Sequence, residues 1–525
     1  MGLAESRLGP QQRAAAWSAL GDGDYDVLVI GGGITGAGTA LDAATRGLRV
    51  ALVEARDYAA GTSSRSSKLI HGGVRYLEQL NVGLVREALR ERELMLTRLA
   101  PHLVKPVPFL YPLTHRLWER PYVAAGLTLY DMLGGGRSLP RHRHHTRSGA
   151  RRLCPALRPD ALTGAVGYYD ARTDDARHTL TVARTAAAYG ATVVNSAEVV
   201  RFRRAGDRIV GATVRDVETG SEIDVSARVA VNCTGVWTDE IQALAGGGGR
   251  FNVRASKGVH LVVDRDRIDS SVGLILRAER SVLFVIPWGA HWIVGTTDTD
   301  WHLDLAHPAA SEADIDYLLD RVNRVLVEPL SHRDIRGVYA GLRPLLAGES
   351  EDTSRLSREH AVARPRPGLI TVAGGKYTTY RVMAADAVDA TAADLGRALP
   401  RSVTASIPLL GAEGYPALDN QVPVLARRHG LPAGTIRHLL DRYGSLIAEV
   451  LDPAADEPGL LQHVPGASAY LLAEVRYAVT HEAALHLDDV LARRTRISIE
   501  TPHRGTESAA GAADVAAPLL GWSRA

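Results

Sequence analysis

Short apolar runs alternating with Ala-rich amphipathic stretches organise the first part of the chain. Tyr25-Asp26-Val27-Leu28-Val29-Ile30 is a brief hydrophobic run bounded by turn residues, the pattern of a buried parallel strand. Glycines follow, then an Ala-rich helical segment through Arg46, then a second run, Arg49-Val50-Ala51-Leu52-Val53-Glu54. Strand, helix and strand in that order predict a βαβ start. Residues 1–24 are polar and read as a tail. The stretch from about 101 to 172 is rich in Pro, His and Arg with weaker periodicity, and reads as an insertion that builds over the sheet.

Helical periodicity returns at His178–Gly190 and leads into a strand at Ala191–Asn195. Val210–Val214 and Ile223–Val225 flank Glu218-Thr219-Gly220-Ser221 and predict a hairpin, and Arg228–Cys233 another buried strand. Gly258–Asp264, Ser281–Pro287 and His291–Thr296 read as strands of a more antiparallel kind. Gly368–Ala373 is again an apolar strand, and a long helix begins near Thr378. From about 401 the chain turns helical, with amphipathic runs at Pro423–His429, Thr435–Leu451 and Ala469–Arg494; Gly505–Ala525, rich in Ala and Gly, reads as loose.

Composition narrows the class. With 46% hydrophobic and 23% charged residues the chain is globular rather than disordered or fibrous. Its length suggests roughly three to four domain-sized units. The net charge of +2 gives no global case for nucleic-acid binding. Cys154 and Cys233 stand far apart with no zinc spacing, and read as reduced thiols in an intracellular protein; no metal site is expected. No signal peptide is expected, because residues 1–24 hold no apolar core flanked by basic residues. The longest stretch without Asp, Glu, Lys or Arg, Ser281 to Thr297, holds Pro287 and Gly289, so no membrane-spanning helix is expected. Of 61 basic residues only four are Lys: Lys68, Lys105, Lys257 and Lys376. An ammonium and a guanidinium are not equivalent, so these four positions are candidates for site chemistry.

Gly31-Gly32-Gly33-Ile34-Thr35-Gly36 satisfies GxGxxG after a strand and before a helix, and Glu54 closes the next strand. In that context the motif is a dinucleotide fingerprint: Gly31 and Gly33 let backbone approach a pyrophosphate at the helix N-terminus, and Glu54 can accept from ribose hydroxyls. The fingerprint alone does not choose between NAD and FAD. Downstream, Gly61-Thr62-Ser63-Ser64-Arg65-Ser66-Ser67-Lys68 is dense in hydroxyls, and His71 precedes Gly72-Gly73.

The run Ser66–Leu77, SSKLIHGGVRYL, resembles the FAD-dependent, respiratory-type glycerol-3-phosphate dehydrogenases. Further runs in the same order carry the likeness: Ser256–His260, Phe284–Trp288, Gly295–Asp298, Tyr339–Pro344 and Gly374–Tyr380, then Glu474–Tyr477, Asp488-Asp489 and Arg493–Thr495 near the helical end. The resemblance implies an α/β fold: a Rossmann-like FAD-binding domain, a mostly antiparallel substrate domain and a helical C-terminal cap. The expected division is a tail over 1–24, FAD-binding and substrate domains over 25–400, and the cap over 401–525. Within 25–400 the FAD part draws on about 25–100, 173–250 and 340–400, and the substrate part on about 101–172 and 251–339.

The resemblance also implies oxidation of sn-glycerol 3-phosphate to dihydroxyacetone phosphate, with FAD as cofactor and a membrane quinone as electron acceptor. A substrate dianion calls for several cations, for which Arg75, Arg343 and Lys376 in Gly-containing motifs are candidates, joined by Arg358 through the family likeness. His260 is the first candidate for general base and His71 the second. Flavin contacts are expected at Thr62, Ser63, Ser64, Lys68 and His71, at Val199, and at Thr234-Gly235. Three of the four lysines fall within these motifs. The basic run Arg137–Arg152 reads as a solvated loop or as a contact with anionic lipid. The expected place is cytoplasmic, at most peripheral on the membrane, and a homodimer stays open. Rival readings are an oxygen-using glycerol-phosphate oxidase, an amine oxidase of the same architecture, and a flavin-bound sensor without turnover.

Overall fold

The computed structural model describes residues 5–78, 81–115, 118–134, 138–247, 249, 251–277, 282–347 and 360–523. Two sheets and a helical C-terminal region organise them. The first sheet holds five parallel neighbours in the order Leu369–Gly374, Glu222–Asn232, Asp24–Ile30, Val50–Val53 and Thr192–Val194. Its central strands are apolar on both sides because both faces are covered. Val27 and Val29 pack under the helices Ile34–Thr45, Asp175–Ala188 and Tyr380–Leu395, while Leu28 and Ile30 face the opposite core. The expected hairpin and the expected strand at Arg228–Cys233 share one strand: Glu222–Asn232 first pairs antiparallel with Arg208–Asp216, then parallel with Asp24–Ile30.

The second sheet, ten strands among the described residues, is mostly antiparallel. Residues 101–172 are no mere covering insertion: Lys105–Leu113 and Gly164–Arg172 pair along their length inside it. Prolines 106, 108 and 112 interrupt the sequence signal of the first of these, and beyond that pairing it bonds its other neighbour only around Phe109 and Leu110. Val253–Asp264 pairs with Ile335–Leu346 in a register that sets Ser256 opposite Arg343, Gly258 opposite Gly341 and His260 opposite Tyr339. Two motifs distant in sequence thereby share one face.

Both expected loose ends are helical. Pro10–Asp22 packs Trp17 and buried Leu20 on the first sheet, and Arg13 pairs with Asp216 at 3.0 Å, so residues 10–22 are structure rather than tail. Thr506–Leu520 buries Ser508, Ala512 and Ala516, small residues four apart that give the helix a flat inner face. The expected helix over Thr435–Leu451 is divided at Gly444, whose φ of 56° and whose closeness to the Gly411 carbonyl leave no room for a side chain. Ala469–Arg494 is likewise divided, into the strand Ala467–Leu471, the helix Leu472–His481 and a separate turn at Asp489–Arg494. This C-terminal region docks on the first sheet's connections through buried charge: Arg493 and Arg494 on Asp57 in the turn after Val50–Val53, and Arg442 and Arg496 on Asp174 at the start of the helix Asp175–Ala188.

Candidate active site

The fingerprint turn explains each of its glycines differently. Gly31 takes φ +106°, and a Cβ there would lie 2.9 Å from the Cys233 carbonyl oxygen. A Cβ at Gly36 would collide with the Gly31 carbonyl, so this glycine serves strand–helix packing and does not reach the cavity wall. Gly33 faces open space limited only by Ser63 Oγ at 3.2 Å, leaving its backbone accessible beside the helix N-terminus. The Ile34 N–H donates to Ser63 Oγ at 2.9 Å, which ties the Thr62–Ser64 turn to the fingerprint. Glu54 accepts from the Gly32 and Arg56 N–H groups at 2.6 and 2.8 Å; burial raises its carboxyl, and the two N–H groups pull it back.

A cavity of about 650 Å³ lies where the first sheet's strand ends meet the second sheet. Gly31, Gly33, Ile34, Thr35 and Glu54 line it from the first sheet, with Thr234 and Gly235 after the neighbouring strand and Val199 from the strand Ala197–Ala205. Thr62, Ser63 and His71 line it from the hydroxyl-rich segment. His260, Arg343 and Lys376 complete the wall. The backbone at Arg75 belongs to the short helix Arg75–Glu78, its side chain lies outside the described atoms, and Arg358 lies outside the described residues.

Two expected flavin contacts point elsewhere. Ser64 turns its hydroxyl to the Gly61 carbonyl at 3.4 Å and does not line the cavity. Lys68 is wholly buried, with Nζ 2.8 Å from Asp175 Oδ1 and between the rings of Trp288 and Tyr339. Lys257 also leaves the site, for Asp314 at 2.6 Å, because strand alternation sends it to the face opposite His260. Lys105 meets Asp441 at 2.8 Å and joins the second sheet to the helical region. Only Lys376 of the four lines the cavity, its ammonium 3.4 Å from the Tyr76 ring centroid.

The cation and base chemistry sits on the shared face of the two long strands. Arg343 donates to Thr296 Oγ1 and the Thr297 carbonyl, both at 3.1 Å, which fixes its fork. Gly258 makes room for it, since a Cβ there would lie 2.7 Å from Nη2. The His260 ring stacks on Tyr339 with centroids 4.7 Å apart and planes at 9°. A side chain at Gly295 would collide with the ring's other side. Nε2 meets Ser67 Oγ at 2.8 Å, whereas Nδ1 is buried with no hydrogen-bond partner among the described residues. Burial, then Arg343 and Lys68, hold the imidazole well below its ordinary pKa, so it is neutral at pH 7. Ser67 and Tyr339 were not singled out from the sequence, although both stand inside quoted motifs. Period-2 alternation through Ser256–His260 and Tyr339–Arg343 was the available signal.

A doubly covered parallel sheet, a glycine cradle that side chains would fill, and a joined antiparallel sheet define a dinucleotide-binding protein. Residues 26–381 match the FAD dependent oxidoreductase family, and residues 402–525 match the C-terminal domain of alpha-glycerophosphate oxidase. The glycerol-3-phosphate dehydrogenase of Mycobacterium leprae is 64% identical over 99% of this chain and 88% of its own. The human mitochondrial glycerol-3-phosphate dehydrogenase is 36% identical, over 98% and 73%. The solved Bacillus halodurans glycerol-3-phosphate dehydrogenase, complexed with FAD, superposes with a TM-score of 0.78 at 30% identity, covering 98% of this chain and 95% of that one. The chain belongs to the FAD-dependent oxidoreductases and, within them, to the glycerol-3-phosphate dehydrogenases.

Proposed function

We propose that this enzyme oxidises sn-glycerol 3-phosphate at C2 to dihydroxyacetone phosphate and passes the electrons to a membrane quinone. The carrying observation is one cavity wall that presents a neutral buried imidazole, His260, together with the cations of Arg343 and Lys376. Arg343 offers a planar fork to phosphate oxygens and Lys376 a point charge. Gly31, Gly33 and Glu54 are the residues that would hold the pyrophosphate and ribose of FAD, which when bound supplies a two-electron acceptor. His260 takes up the C2 hydroxyl proton, and Arg343 and Lys376 orient the phosphate end so that C2 lies in the cavity rather than at its rim.

Peripheral attachment to the cytoplasmic face of a membrane fits one surface. No helix among the described residues is long and apolar enough to span a bilayer. The helix Glu119–Leu133, with Trp118 just before it, exposes Trp118, Tyr122, Leu129 and Met132 at helical spacing. The basic segment runs beside it: Arg120 donates to the His145 carbonyl at 3.1 Å, and the His142 ring meets Asp131 at 2.7 Å. Apolar side chains flanked by Arg suit an interfacial surface with anionic lipid. The acceptor is tested by reoxidising the reduced enzyme: a soluble quinone should restore the yellow colour far faster than air. Rapid hydrogen peroxide formation in air, with no response to quinone, would instead make it an oxidase.

A further inference from the structure

Resting on the substrate proposed above, the wall around His260 assigns a second residue to proton removal. Tyr339 covers one ring face, and on the other flanking strand Gly295 stands opposite His260, where a side chain would run into the ring. Nδ1 is buried. The remaining hydrogen-bonding atom, Nε2, is directed at the hydroxyl of Ser67, 2.8 Å away, and Ser67 itself lines the cavity. We propose that Ser67 is a catalytic residue, the hydroxyl that meets the substrate's C2–OH and passes its proton to His260.

Ser67 is held for this task from both sides. Ser66 donates its N–H and its hydroxyl to Asp175 Oδ2 at 2.9 and 2.7 Å, and Lys68 donates to Asp175 Oδ1 at 2.8 Å. One buried carboxylate therefore anchors the residues before and after Ser67. Arg496 of the C-terminal region binds the same carboxylate, and the Tyr339 hydroxyl donates to the Ser66 carbonyl at 3.0 Å. Base, stacking ring and hydroxyl thus share one rigid support, and Asp175 is a positioning residue. The step balances as two proton transfers. The C2 hydroxyl proton moves to Ser67 Oγ while the Oγ proton moves to His260 Nε2, and the C2 hydrogen leaves with its bonding pair to the two-electron acceptor the family employs. Ser67 ends as it began, and the histidine carries the net proton.

The test uses the FAD-loaded enzyme and anaerobic stopped-flow reduction by glycerol 3-phosphate. Ser67→Ala should slow flavin reduction roughly 100-fold or more while the apparent substrate Kd changes by less than about threefold. Ser67→Ala reducing at the wild-type rate would overturn the assignment. Two readouts remain decisive if that variant fails to fold. Reduction of the wild-type enzyme in mixtures of light and heavy water should give a curved rate dependence, since two protons move; a straight line would overturn the relay. In 15N-histidine-labelled wild-type holoprotein, the His260 Nε2 resonance should carry the signature of a hydroxyl partner, and its absence counts against the contact. Wild-type enzyme that glycerol 3-phosphate does not reduce at all would indict the substrate reading instead.

Discussion

Removing the charge of Asp175 isolates the network beneath His260. Asp175 and Lys68 are both wholly buried. In Asp175→Asn the amide oxygen can still accept from Ser66, but Lys68 is left with the Ser64 carbonyl, 3.1 Å away, as its acceptor. Breaking a buried ion pair from one side costs about 3–5 kcal/mol. The faces of Trp288 and Tyr339, 5.5 and 5.0 Å from the ammonium, offset on the order of 1 kcal/mol of that. The expected loss is therefore about 2–4 kcal/mol, read by guanidinium unfolding at pH 7. Its pH dependence has a definite sign. Burial and Arg496 already lower the Lys68 pKa, and loss of the carboxylate lowers it further. The unfolded chain then binds a proton the folded variant lacks, so the variant's deficit shrinks as pH rises toward the free lysine pKa of ~10.4. Adding Lys68→Met to Asp175→Asn should recover part of the loss, because no unpaired charge is then buried. A single variant within about 1 kcal/mol of wild type, or a double variant whose losses simply add, would refute the coupling.

Acid stability should track two buried histidines. Burial lowers His102 to about 3 and His178 to about 4, so between the ordinary ~6.5 and those values the unfolded chain takes up protons that the folded chain refuses. Stability should be full above pH 6.5 and fall as pH drops, by roughly 3 kcal/mol for His178 at pH 4 and below and by about 5 kcal/mol for His102 at pH 3 and below; His178→Gln should flatten a thermal-shift profile over this range, and an unchanged slope counts against it. Gly36→Ala should yield little folded protein because its Cβ meets the Gly31 carbonyl, whereas Gly33→Ala, with 3.2 Å to Ser63 Oγ, should fold and lose FAD on gel filtration. Equal behaviour of the two would contradict their separate roles. Arg343→Ala should slow flavin reduction roughly 100-fold, while Arg141→Ala stays within about twofold. Lys376→Arg should also impair turnover, since a longer, planar guanidinium cannot place its charge in the cavity wall where the compact ammonium sits; near-normal rates would show that charge alone suffices.

Parts of the fold differ in how plainly the chain announces them. The strands at Asp24–Ile30 and Val50–Val53 are buried on both faces, so they read as continuous apolar runs between glycine turns. The second sheet is harder, because Val253–Asp264 finds its partner Ile335–Leu346 only after a long excursion, and because prolines blur Lys105–Leu113. The terminal helices are hard to read since Ala and Gly carry little amphipathic signal, although Ser508, Ala512 and Ala516 recur at helical spacing. Lysine scarcity singles out Lys68 and Lys257, and both are partners of buried carboxylates, Asp175 and Asp314. Rarity marked positions where an ammonium is wanted; it could not say whether the partner is a ligand or another side chain.

The most direct measurement is anaerobic titration of the purified, FAD-loaded enzyme with sn-glycerol 3-phosphate while flavin absorbance is followed. Bleaching should be complete, should saturate, and should yield dihydroxyacetone phosphate in equal amount to the flavin reduced. A flavin that stays yellow with saturating glycerol 3-phosphate, yet bleaches with dithionite, would contradict the proposed substrate and the roles given to His260, Arg343 and Lys376.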